Sequence, residues 1–79
     1  MKIPRDLSGR SVVKALCKHW GYRQVHQEGS HIILQTDHPS HQRIPIPDHS
    51  TLRIGTLNSI IRLVATHKHV DKQDVLATL

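Results

Sequence analysis

Ile44-Pro45-Ile46-Pro47 limits what this chain can fold into more than any other stretch. Proline has no backbone N–H, and two prolines two residues apart in an extended chain turn that loss toward the same side. That side cannot donate to a neighbouring strand. Arg43–Pro47 is therefore expected to be an edge strand, with Ile44 and Ile46 sharing one face and able to cover a helix.

The partners of this strand lie upstream. Tyr22–Gln27 and His31–Thr36 are the other two extended pieces, and Glu28-Gly29-Ser30 between them is short enough for a hairpin turn with Gly29 supplying the permissive backbone. The polar run Asp37–Gln42, with Pro39 and Ser40, is expected to be a longer loop.

Helical spacing flanks the strands. From Arg10 to Trp20, the residues Val12, Val13, Leu16, Cys17 and Trp20 fall on one stripe, while Arg10, Lys14 and Lys18 fall on another. Ser8 is the expected N-cap and Gly21 the terminator. The apolar stripe belongs in the core; the basic one is either a solvated face or a contact for RNA or a partner protein. A second helix begins near Gly55-Thr56, burying Leu57, Ile60, Ile61 and Val64, with Asn58 and Arg62 outward. Past Thr66 the chain turns polar at His67-Lys68-His69, and Asp71 is expected to cap a short last helix with Val75, Leu76 and Leu79 apolar. The order α-β-β-β-α predicts an α+β domain, a three-stranded antiparallel sheet with helices on one face and a short C-terminal helical addition. Residues 1–79 are expected to form one domain.

Composition narrows the function. Eleven Lys and Arg against six Asp and Glu give +5 with histidine neutral, an excess that favours a polyanion as ligand. A lone Cys17 allows no internal disulfide. With no apolar run long enough for a bilayer and no signal-peptide pattern near Met1, a cytoplasmic protein that does not engage the membrane is expected. Eight histidines suggest acid–base work, metal binding or simple scatter.

Three segments stand together: Gly29-Ser30-His31 at the start of the second strand, Ile44-Pro45-Ile46-Pro47-Asp48-His49 at the end of the third, and Gly55-Thr56-Leu57-Asn58-Ser59-Ile60-Ile61 opening the second helix. In this order and at these separations the chain resembles the HicA family of mRNA interferase toxins, from the Leu7–Trp20 helix to about Val64. The resemblance implies a double-stranded-RNA-binding-domain-like fold and the toxin role in a type II toxin–antitoxin system. It also implies a ribosome-independent endoribonuclease on mRNA, neutralised by a HicB-type antitoxin, with His31 at the catalytic position. Two residues depart from the family pattern. Glu28 stands where many members have a basic residue, and so does Asn58.

The residues suit that chemistry. RNA carries its own nucleophile, the 2′-hydroxyl, and a histidine that changes protonation near neutral pH can take its proton, giving a 2′,3′-cyclic phosphate with no metal or other cofactor. Gly29 allows close approach of backbone to phosphate, and Ser30 offers an N–H and a hydroxyl; the same pair also makes an ordinary hairpin turn. His49 is a second acid–base partner, a phosphate contact or a solvated loop histidine. Positive charge for RNA is drawn from Lys2, Arg5, Arg10, Lys14, Lys18, Arg23, Arg43 and Arg53.

Three rivals compete with this reading. A non-catalytic RNA-binding module of the same fold commonly places lysines at the start of the second helix, and Gly55–Ser59 has none. A metal site would draw on His38, His41 and His49 or on His67 and His69, but neither set is completed by a cysteine pair or a carboxylate at ligand spacing. A pure interaction protein differs only in lacking activity.

Overall fold

The computed structural model describes residues 6–79. Helix α1 is Gly9–His19, strands β1, β2 and β3 are Arg23–Glu28, His31–Thr36 and Gln42–Pro47, and helices α2 and α3 are Ile54–Lys68 and Lys72–Leu76. The strands form one antiparallel sheet in the order β1-β2-β3, so the strand with the two prolines lies at an edge as its sequence requires. This is the expected α+β arrangement.

Alternation along the strands separates two faces. Ile32, Leu34 and Thr36 of β2 and Ile44 and Ile46 of β3 are buried, and they meet Val12 and Leu16 of α1 and Leu57, Ile60, Ile61 and Val64 of α2 in one core. Fully burying a side chain of this kind contributes about 1.5–3 kcal/mol, so this single face carries most of the fold's apolar stabilisation. Tyr22 joins the same core; burial pushes its phenol up to about 12, and its hydroxyl donates to Gln42 Oε1. The other face is the more exposed one, although Gln35 on it is buried. His31 pairs with Pro47, Ile33 with Pro45 and Gln35 with Arg43, and directly opposed residues share a face, so this row lies on the open side.

The element ends follow the local signals. The Ser8 side chain accepts from the Ser11 N–H at the start of α1, and Gly21 has φ 72° just past its end. Beta strands β1 and β2 are joined by two residues, Gly29 and Ser30, with φ 58° at the first and no positive φ at the second, the pattern of a type II′ hairpin turn. Asp71 and Asp74 form a reciprocal capping box on α3. The last segment packs inward: Val75 is fully buried, and the Trp20 indole N–H donates to Thr78 Oγ1 at 2.9 Å.

The β2–β3 loop is held by the end of α2. Lys68 Nζ donates to Thr36 Oγ1 (2.9 Å) and to the His38 carbonyl (2.6 Å), and lies 4.9 Å from the centre of the Tyr22 ring. No carboxylate faces this ammonium in the ion pairs among the described residues, and its partial burial lowers its proton affinity.

Candidate functional site

Three backbone segments converge where the sheet ends at His31. The Asp48 N–H donates to the Ser30 carbonyl at 2.6 Å, which fastens the exit of β3 to the β1–β2 turn. The Gly9 N–H donates to the His49 carbonyl at 2.9 Å, which fastens the start of α1 to the same exit. A Cβ added to Gly9 would stand 1.8 Å from the Pro47 carbonyl oxygen, so only glycine permits this approach of helix to strand. Leu52 N–H donates to the Leu7 carbonyl at 2.8 Å and closes the corner from outside.

His31 stands at this corner as the first residue of the central strand. Its backbone is paired on both sides, with Glu28 across the turn and with Pro47 of β3, while its side chain is exposed on the open face. Gly29 has open space around its Cα, and Ser30 beside it is exposed. Glu28 shares the open face with His31 as its register partner, which places a negative charge there.

Arg10 reaches the corner from the first turn of α1. Its Nε and Nη2 donate to Asp48 Oδ1 and Oδ2 at 3.0 and 3.2 Å, a two-pronged pair. The Arg10 guanidinium holds the Asp48 carboxyl below the usual carboxylate range. Arg10 therefore arrives at the corner with part of its charge already matched. His49 is exposed in the loop after β3, with its carbonyl engaged by Gly9.

The remaining sequence-predicted cations are spread out. Lys14 and Lys18 continue the row along α1, exposed, each about 6 Å further from Arg10 at 1.5 Å per residue. Arg43 lies on the open face opposite Gln35, four residues along β2 from His31 and so roughly 13 Å away, and its Nε donates to Gln35 Oε1 at 2.9 Å. Arg23 on the same face pairs with Asp37 at 3.0 Å, and Arg53 stands exposed at the N-cap position of α2 with no side-chain capping bond. Lys2 and Arg5 lie outside the described residues. The structure thus brings Arg10 and His49 to the backbone corner formed by Gly29 and Ser30, while the His31 side chain leaves this corner on the open face, opposite α1; Lys14, Lys18 and Arg43 lie further away.

Sequence reasoning missed two contributors here, Gly9 and Asp48. Asp48 carried a signal, an acidic residue directly after Pro47 in an otherwise basic chain. Gly9 carried none. Among the described residues no three His, Cys, Asp or Glu side chains converge as a metal-binding group, and no helix is long and apolar enough to cross a membrane.

These elements make a small α+β domain with helices on one face of its sheet and a basic row along α1. The family model described as "HicA toxin of bacterial toxin-antitoxin" matches residues 9–65, from the first residue of α1 into the last turns of α2. The chain belongs to the HicA toxin family and is a toxin of a toxin–antitoxin system. No curated protein and no solved structure matches it.

Proposed function

We propose that this toxin is an endoribonuclease that cuts mRNA in the cytoplasm, independently of the ribosome and without a metal ion, with His31 as its acid–base group. The observation that carries the reading is the placing of His31, an exposed imidazole on a backbone paired on both sides, directly after a glycine turn. Family membership supports it.

In this reading the His31 ring removes the proton of the 2′-hydroxyl as that oxygen attacks the adjacent phosphorus. The P–O5′ bond breaks, the 5′-oxygen leaves with a proton from the medium or from His49, and a 2′,3′-cyclic phosphate remains. Gly29 and Ser30 let the phosphate approach the backbone, where the Ser30 hydroxyl can donate to a phosphate oxygen. Arg10, Lys14, Lys18 and Arg43 supply positive charge to the strand on either side. Glu28 opposes that charge and weakens RNA binding near the cut. A HicB-type antitoxin neutralises the toxin by covering His31 or blocking the way to it.

The test is to induce the wild-type chain and His31→Ala side by side, follow growth and RNA integrity, and assay the purified proteins in EDTA. Arrest and EDTA-resistant cleavage leaving cyclic phosphate ends, with the rate falling on the order of 10²–10⁴-fold in His31→Ala, are expected. Equal cleavage by both proteins would rule out His31. Binding without cleavage or arrest would leave a non-catalytic RNA-binding module of the same fold.

A further inference from the structure

Strand β1 carries glutamine at both places where its helix-facing side would ordinarily be apolar. Gln24 pairs with Leu34 and Gln27 with Ile32, and both partners belong to the core face. Residues three apart in a regular strand point to opposite faces. Here the register shifts between Gln24 and His26, leaving Val25 as the extra residue, and the bulge returns both carboxamides to one face.

Between this stretch and α1 runs a groove of about 330 Å³. Gln24 and Gln27 line its sheet side, Arg10 and Lys14 its helix side, and Val13 and Ile32 give it an apolar floor. The Gln27 Nε2 is 3.5 Å from the Gly29 carbonyl and its carboxamide also reaches Asp48, so the groove runs on the helix side of the sheet up to the turn before His31, whose ring leaves that turn on the other face. The Gln24 carboxamide makes no hydrogen bond among the described residues, and Lys14 has no acidic partner there.

We propose that this groove is a nucleotide subsite: Gln24 and Gln27 read the edge of an RNA base and Lys14 holds its phosphate. The proposal rests on the ribonuclease reading above and adds to it the residues that set base preference. Single-stranded RNA is recognised by splaying bases out and hydrogen-bonding their edges. A carboxamide offers a donor beside an acceptor, which matches such an edge. Stacking on Trp, Tyr or Phe is not open to this chain, because Trp20 and Tyr22 are its only Trp or Tyr, it has no Phe, and both pack with the core. A base held by its edge over an aliphatic floor is the alternative that the groove provides. Because Arg10 is already paired with Asp48, the phosphate falls to Lys14.

Two measurements on the full chain test this. In the first, isotope-labelled His31→Ala protein is titrated with the four homotetranucleotides of RNA and with inorganic phosphate, following the side-chain amide signals of Gln24 and Gln27. These signals are expected to move with at least one tetranucleotide and not with phosphate, and Gln24→Met should weaken that binding several-fold. In the second, wild type, Gln24→Met and Gln27→Met cut a random RNA pool, and the bases flanking the cuts are counted. A several-fold flattening of preference at one fixed position is expected in the variants. Carboxamide signals unmoved by every tetranucleotide, or an unchanged preference in both variants, would overturn the proposal. Cutting that requires His31 with unchanged preference removes the subsite alone; shifted signals in a protein that cuts no RNA remove the ribonuclease reading and leave the nucleotide site standing.

Discussion

Gly9 shows how one residue can hold a corner together. With a Cβ position 1.8 Å from the Pro47 oxygen, a methyl group there forces helix and strand apart and stretches the bond from the Gly9 N–H to His49. Gly9→Ala is expected to cost about 1–3 kcal/mol. In a domain of this size that lowers the melting temperature by roughly 4–8 °C per kcal/mol, which calorimetry measures directly. The sequence shows Ser8 as the cap and Gly29 as the turn glycine, because both act through local geometry. It gave no warning of Gly9, because what makes Gly9 necessary is a carbonyl 38 residues away in the chain. Gln24 and Gln27 were hidden for a related reason: their shared face depends on a bulge, and strict alternation assigns them to opposite faces.

Among the elements, the tie between α1 and the exit of β3 is also electrostatic. The Asp48 carboxyl is held down by Arg10, and Asp37 is held down by Arg23, with His41 contributing. A carboxyl with a lowered folded value binds fewer protons in the folded chain than in the unfolded one. Its stabilising effect is present above the ordinary value of about 3.9 and is lost as pH falls through the folded value. Asp48→Asn is therefore expected to flatten the fall in melting temperature between about pH 5 and pH 3, and a pH series of melts of both proteins checks it. Both pairs are exposed, so the effect at neutral pH is small. At this scale most of the fold was legible in advance. The sequence pattern bounds His31–Thr36 as the structure does, and the first helix and the other two strands to within one residue at each end, and the edge position of β3 follows from its prolines. The second helix runs two residues past Thr66, where the sequence turns polar, because the His67 and Lys68 side chains turn back to hold the carbonyls of Ser40 and His38.

For the whole molecule, charge is distributed unevenly between the two faces. The cations on the open sheet face, Arg23 and Arg43, are engaged by Asp37 and Gln35, whereas Lys14 and Lys18 on the helix row have no acidic partner among the described residues. RNA binding should then depend on salt mainly through the helix row. Lys14→Ala is expected to reduce the slope of log K against log salt by roughly 0.7 for a single strand, and Arg43→Ala by less. Binding titrations over a range of salt concentrations measure this, and a slope unchanged by Lys14→Ala would place RNA elsewhere. The prolines that assigned β3 to an edge also decide how copies of this molecule could polymerise. Growth of a filament through a sheet needs two usable edges, one to receive a strand and one to offer the next. Pro45 and Pro47 remove the donors from one of them, so pairing through β1 ends at two molecules. The sheet itself therefore does not template a fibre.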